Sequence, residues 1–368
     1  MCFIGIFVIF VSWFFSTRVP SILIFMLIPC VLVFSTRRFF FLYLFYELSL
    51  VPILYIILKW GSYPERSVSA IILLIYTAIF TLPFLGCLFR LYFLLGSFSI
   101  SYVSSSTFSW LFTFVVFIAF AVKLPVYGLH FWLPIAHVEA PTFGSIILAG
   151  ALLKLGGVGI VRFLPLLDTI VLRMVCTSYL LVFLALSSLI CCFQSDFKRL
   201  VAYSSISHMI CIPLLCLREV IISTKAVIIV IFFHGLSSPL IFMLVGISYF
   251  FFGRRQLALT RGLILFSPLL SLIVILSFFF TLSAPPYPSF LSEVLFFIAS
   301  YRLSSSSLLF FIVFIFFSLV YNLNWLNSIL FGPSVSATTS KLIQLSSFLP
   351  LIFSHLLSFL FLFLIPLF

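Results

Sequence analysis

The chain has 368 residues, of which 64% are hydrophobic and 7% charged, and its mean hydropathy is +1.41. That little polar surface cannot cover a water-soluble globule, so lipid is the expected solvent for most of the chain. The net charge of +12 comes from Lys and Arg scattered as singles and pairs, such as Arg37 with Arg38 and Arg254 with Arg255. That scatter fits helix-flanking anchors and excludes a basic stripe for nucleic acid.

Apolar segments follow one another at about residues 3–15, 20–35, 39–58, 67–89, 108–131, 141–161, 170–193, 200–217, 225–252, 262–302, 306–331 and 342–366. A bilayer offers no water to backbone amides, so these long apolar runs predict helices, and the alternation of a transmembrane barrel is absent. The fold class expected is therefore all-α: a polytopic bundle of about 12 transmembrane helices in a single membrane domain, residues 1–368. The one long Ser-rich connection, SFSISYVSSSTFS, leaves no room for a soluble domain. The N-terminal MCFIGIF carries neither a basic n-region nor an Arg-rich amphipathic leader, so no presequence is expected and insertion occurs where the chain is made. Lys and Arg are nearly equal in alternate loops, which leaves the membrane orientation open.

Two segments are broken alike. The fifth carries AVKLPVYGLHFWLP, with Pro125 and Pro134, and the tenth carries LSAPPYPSFLSEVLFF, with Pro285, Pro286 and Pro288. Each sets an ionisable residue, Lys123 or Glu293, beside a proline break. Paired interruptions of this kind mark inverted repeats whose broken helices line a mid-membrane cavity. The expected division is repeat one at about 20–161, repeat two at about 170–331, and a C-terminal helix at about 342–366.

A charge near the bilayer centre costs at least about 2.5–3.5 kcal/mol and therefore faces a wet cavity or an opposite charge. Glu47, Lys123, Lys154, His234 and Glu293 meet that description, and His208 meets it more weakly. A fixed Glu47–Lys123 ion pair could be purely structural. But buried pairs stabilise poorly compared with apolar packing, and this many stranded charges exceed what helix association needs. Lys154 lies about two turns inside Arg162, too deep to snorkel. Ser204, Ser205 and Ser207 precede His208, and Ser237 and Ser238 follow His234, so hydroxyls and water could complete a hydrogen-bonded path. His355, among apolar residues in the last segment, is read as a packing residue.

Charges in the breaks are read as solvated pairs: Glu65 with Arg66, Asp168 with Arg173, Asp196 with Lys198 and Arg199, Arg218 with Glu219. Around WLPIAHVEAP, a metal site built on His130, His137 and Glu139 would need a further ligand that the sequence does not place. The cysteines, Cys2, Cys30, Cys87, Cys176, Cys191, Cys192, Cys211 and Cys216, form no Cys-x-x-Cys and read as small apolar residues. In KLGGVGIVR the dinucleotide frame starting at Gly157 meets Arg162 where its last glycine belongs, so these glycines, with Gly144, Gly150 and Gly156, read as helix-packing positions. The histidines lack the repeated spacing that would sandwich haems. The 52 Phe residues spread over every segment as lipid-facing bulk.

The run KLPVYGLHFWLPIAHVEAPTFGSIILAGALLKLGGVGIVR resembles the central motif of the subunit 4 family of mitochondrial NADH:ubiquinone oxidoreductase, respiratory complex I, within the antiporter-like subunits. YELSLVPILYIILKWGSYPER, QSDFKRLVAYSSISHM, HGLSSPLIFMLVG, and TRG followed by SAPPYPSFLSEVLFF are similar to further family helices in the same order. The likeness spans about residues 39–302. The related subunits 2 and 5 share the plan, but WLP-x-AHVEAP and LLKLGG are nearer to subunit 4. Departures are Ile135 where a basic residue is common, Pro239 after the His234 motif, and Ser292 where Gly is usual. The family has 14 helices, so the resemblance implies that about the first two are lacking here.

The resemblance also implies roles. Glu47 and Lys123 correspond to a buried Glu–Lys pair, Lys154 to a central relay lysine, His208 and His234 to the connecting axis, and Glu293 to a terminal acid. Protons would enter toward Lys154, pass His208 and His234, and leave by Glu293. Opening and closing of the Glu47–Lys123 pair would switch the path. It implies no cofactor on this chain, with NADH, FMN, iron–sulfur clusters and ubiquinone on partner subunits. The implied partners are the subunit 2-like and subunit 5-like chains and lipids, in the mitochondrial inner membrane. A stand-alone cation/proton antiporter of the same fold and a purely structural anchor are the rival readings.

Overall fold

The computed structural model describes residues 7–8, 12, 20–61, 64–99, 109–126, 128–167, 170–217, 221–266, 268–285, 287, 289–301, 305–332 and 349–362. Tyr127, Asp168, Arg218, Glu219, Pro286 and Pro288 lie outside the described residues, as do Cys2 and most of the first expected segment. The helices are α1 (Pro20–Ser35), α2 (Phe39–Leu48), α3 (Leu50–Trp60), α4 (Arg66–Leu95), α5 (Trp110–Lys123), α6 (Trp132–Glu139), α7 (Thr142–Ile147) and α8 (Leu153–Phe163). They continue as α9 (Ile170–Cys192), α10 (Phe197–Cys216), α11 (Ile221–Phe252), α12 (Leu263–Phe266), α13 (Pro268–Thr281), α14 (Ser289–Tyr301), α15 (Ser305–Leu330) and α16 (Leu349–Leu362). Extended pairing among the described residues is confined to two isolated bridges, Arg38 with Ser99 and Asp196 with Gln256. The all-α expectation therefore holds, and the chain is a multi-pass membrane protein.

Among the described residues, seven helical stretches are long and apolar enough to cross a bilayer, and they divide by burial. Thr142–Leu166 is 89% buried within the molecule, Ser223–Phe252 83% and Phe197–Cys216 78%, whereas Arg66–Leu95 and Ser307–Leu330 are only 28% buried. The peripheral helices turn Ile, Leu and Phe outward, as a lipid solvent rewards. α11 is the central column, packing on α7, α8, α10, α13, α14 and α16. Lys154, His208 and His234 all lie on the three buried helices, so their polar groups face protein rather than lipid.

Three departures from continuous helix position the site, the first two at the expected proline breaks. The fifth segment ends as a helix at Lys123, beside Pro125, and restarts as the short α6. Its freed carbonyls are accounted for: Phe120 accepts from Leu124 N–H, Ala121 from Val126 N–H at 3.1 Å, and Val122 from the Trp132 indole at 3.0 Å. The tenth segment is not one helix but α12, α13 and α14, with the break between Thr281 and Ser289 containing Pro285. Pro239, by contrast, lies inside α11 without interrupting it.

The third departure had no counterpart in the sequence reading. α7 and α8 are joined by a π-helical turn, Leu148–Leu152, in which one extra residue per turn shifts the backbone hydrogen bonds. Here Leu153 N–H bonds the Leu148 carbonyl five residues back, which leaves the Ala149 carbonyl open to side chains.

Candidate functional site

Lys123 ends α5 with its side chain 2% exposed. Its Nζ donates to the Tyr46 carbonyl at 2.8 Å and lies 3.1 Å from the centre of the Tyr46 ring. Ser49, at the junction of α2 and α3, also donates its Oγ to that carbonyl, at 2.7 Å. The Tyr46 hydroxyl in turn donates to the Ala119 carbonyl of α5 at 3.2 Å. Glu47, the next residue, is half-buried, and its Oε1 has no hydrogen-bond partner. The expected Glu47–Lys123 ion pair is not formed: among the described residues the ion pair within 4.0 Å is that of Arg199 with Asp196, at 3.6 Å. Lys123 instead takes a carbonyl and an aromatic face, an arrangement worth about 2 kcal/mol for the ring contact once desolvated.

Lys154, 1% exposed, folds back along α8 and donates to the freed Ala149 carbonyl. Its Nζ also stands 2.9 Å from His234 Nδ1 and 3.2 Å from Ser238 Oγ, both on α11. Among the described residues no carboxylate neutralises it; its partners are a carbonyl, an imidazole and a hydroxyl. α8 reaches both neighbours because it carries glycines. A Cβ at Gly156 would lie 3.2 Å from the Phe120 carbonyl oxygen of α5, and one at Gly157 2.8 Å from Ile231 Cδ1 of α11.

The His234 and His208 rings are 5.9 Å apart, and beyond them a cavity of about 60 Å³ opens between α10, α11, α14 and α15. At roughly 10–15 Å³ per water it has room for about four. Its lining brings together His208, His234, Ser204, Ser205, Ser237, Ser238 and Glu293. Ser207 does not line it; its hydroxyl turns back to the Ser204 carbonyl at 2.8 Å. Ser204 and Ser205 likewise donate to carbonyls three residues back, so within the cavity these oxygens serve as acceptors. Of the expected path residues, Lys154, His234, His208 and Glu293 thus form one contiguous group, while Glu47 and Lys123 form a second around Tyr46. The geometry puts His234, not His208, next to Lys154.

A third polar cluster was missed. Lys198, expected to be solvated, is buried and donates to the Val138 carbonyl at 3.3 Å and to that of Ala140, where Arg255 also reaches Val138 at 3.3 Å. Two cations thus cap the C-terminus of α6, where the helix dipole favours them. Glu139 beside them has a buried Oε2 without a partner, and His137, stacked on Phe242 at 4.5 Å, has no partner for either ring nitrogen. One signal could have found Lys198: it shares a helical face with Val201, Ala202 and Ser205. Among the described residues no three His, Cys, Asp or Glu side chains gather into a metal site.

A family profile described as NADH:quinone oxidoreductase/Mrp antiporter, transmembrane, matches residues 37–319. The chain belongs to this family. As a member of the NADH:quinone oxidoreductase/Mrp antiporter family, it is 39% identical over 274 residues to NADH-ubiquinone oxidoreductase chain 4 of Ceratitis capitata, covering 73% of this chain and 61% of that one. It is 36% identical over 327 residues to the chain of the same name from Lumbricus terrestris, covering 85% and 70%. The match thus spans about three-fifths of the first relative's length and seven-tenths of the second's. Its fold is similar to a chain of respiratory complex I from Thermus thermophilus with bound NADH, with a TM-score of 0.84 at 24% identity, covering 97% of this chain and 78% of that one. It is also similar to a chain of the Mrp complex from Dietzia sp. DQ12-45-1b, with a TM-score of 0.87 at 15% identity and the same coverage. The family membership and the two Pro-marked discontinuities agree with the resemblance drawn from the motifs.

Proposed function

We propose that this chain is a membrane-arm subunit of a complex I-type NADH:ubiquinone oxidoreductase that moves protons across the mitochondrial inner membrane. The observation that carries the reading is the direct Lys154–His234 contact at 2.9 Å, opening onto the cavity shared by His208 and Glu293. In the proposed step a Lys154 N–H bond breaks as the His234 Nδ1–H bond forms. The proton on the other ring nitrogen passes through cavity water toward Glu293, by way of His208. The order is Lys154, His234, His208, Glu293, which exchanges the two histidines relative to the order inferred from sequence.

Lys123 supplies the switch. Moving one charge against roughly 150–200 mV requires about 3.5–4.6 kcal/mol. A desolvated cation–π contact of about 2 kcal/mol with a charged hydrogen bond of about 1.5–3 kcal/mol is of the same size. Exchange of Lys123 between Tyr46 and the neighbouring Glu47 carboxylate is therefore sufficient to gate the charge state of Lys154. In this reading the redox chemistry, with NADH, FMN, iron–sulfur clusters and ubiquinone, belongs to partner subunits, and the membrane partners are subunit 2-like and subunit 5-like chains. The halves at about 20–161 and 170–331 act as inverted repeats, each contributing one discontinuous helix.

The rival reading is a stand-alone cation/proton antiporter subunit of the same fold, outside any NADH dehydrogenase. Solubilising the native membrane separates the two. The expected result is migration of the chain in a large assembly with NADH dehydrogenase activity, and finding it apart from that activity would overturn the complex I reading.

A further inference from the structure

The break between α13 and α14 carries a feature that the proton path does not use. Ser283, in the break, has φ +52, a left-handed conformation that a residue with a Cβ keeps only where its surroundings hold it. Ser283 lines the cavity together with Phe280, Ser289, Ser292 and Glu293. Inside α13 and α14 the break is tied to itself: Ala284 N–H bonds the Phe279 carbonyl at 3.0 Å, and Ser289 Oγ donates to the Phe280 carbonyl at 3.2 Å.

The tie from outside comes from α16, which packs on both α11 and α13. The buried Tyr287, also in the break, sets its hydroxyl 3.5 Å from His355 Nδ1. Phe280 stands between this pair and the cavity. Its ring stacks on Tyr287 at 5.0 Å and 25°, lies 6.2 Å from the His355 ring, and forms part of the cavity wall. His355 is buried and its Nε2 has no partner. An imidazole held in an apolar helix with one nitrogen unsatisfied is a costly way to fill space. The cost is offset if the other nitrogen fixes the break.

We infer that the Tyr287–His355 contact is a latch by which α16 sets the shape of the Glu293 cavity, which makes His355 a positioning residue for that acid. The inference rests on the proton-carrying reading of Glu293 proposed above. Through Phe280 the latch holds Ser283 in its left-handed turn and the first turn of α14 in register, so Glu293 keeps facing the histidines.

The test compares proton translocation per assembled complex in sealed membranes for the unmodified chain and for Glu293→Gln, His355→Ala, Tyr287→Phe and the His355→Ala/Tyr287→Phe double variant. Glu293→Gln sets the floor. The latch predicts that His355→Ala and Tyr287→Phe each fall at least halfway to that floor. It also predicts that the double variant falls no further than either single one, and that His355→Asn, which restores a polar partner to Tyr287, recovers most of the loss. Should His355→Ala fail to assemble, Tyr287→Phe, which removes only the hydroxyl, carries the test with its own halfway criterion. Full translocation by Tyr287→Phe, or additive losses in the double variant, overturns the latch while leaving the role of Glu293 standing. Full translocation by Glu293→Gln itself overturns both.

Discussion

Lys123 turns away from Glu47 and onto Tyr46, and that choice gives the residue scale its clearest test. Glu47→Gln keeps the volume of the side chain and the Lys123–Tyr46 contacts but removes the alternative partner. Proton translocation per assembled complex should fall by about tenfold, the rate equivalent of about 1.4 kcal/mol. Tyr46→Phe deletes only the hydroxyl bond to Ala119, a loss of about 1 kcal/mol in stability. Because it keeps the carbonyl and the ring that hold Lys123, it should translocate protons normally. Lys198→Met leaves the end of α6 to Arg255 alone, and should lower stability by about 1–3 kcal/mol, read as a lower melting temperature of the complex. Glu47, Lys123, Lys154 and His234 were legible in the sequence because a charge inside an apolar run is expensive and therefore conspicuous. Lys198 and His137 were not, since one sits among other charges in a break and the other beside a proline-marked bend. Nor was Tyr46, because its carbonyl and ring meet Lys123 only through tertiary packing of α2 on α5, and His355 reads as packing until Tyr287 is seen beside it.

At the scale of elements, α1 and α9 coincide with their expected spans to within a residue, whereas α4 runs through Arg90 to Leu95, past its expected end. What the pattern could not reveal was how a run divides internally. The apolar stretch at 262–302 carries no charge before Glu293, so nothing in its periodicity separates α13 from α14 except the prolines. The π-turn at Leu148–Leu152 has no compositional mark, although it supplies the carbonyl that receives Lys154. The glycines of α8 were legible as packing positions, and the contact they allow is now specific. Gly156→Ala would press a methyl against the backbone of α5, which cannot yield as a side-chain tip can. The expected cost is about 1–3 kcal/mol, seen as reduced thermal stability of the assembled protein, and it should exceed that of Gly86→Ala, which meets open space.

At the scale of the whole molecule, burial sorts the helices into an inner set that carries the titratable groups and an outer set that meets lipid. Composition made the second set evident and could not delimit the first, because the two overlap in hydropathy and tertiary packing distinguishes them. The central claim is that protons pass along Lys154, His234 and His208 of the inner set to Glu293 on α14. Lys154→Met tests it most directly, since Met nearly preserves the packing volume while removing the charge and the ammonium hydrogen bonds. The measurement is proton translocation into sealed membranes, normalised to assembled complex. The account predicts that Lys154→Met assembles and loses translocation through this subunit, whereas translocation at the unmodified rate by an assembled Lys154→Met complex would contradict it.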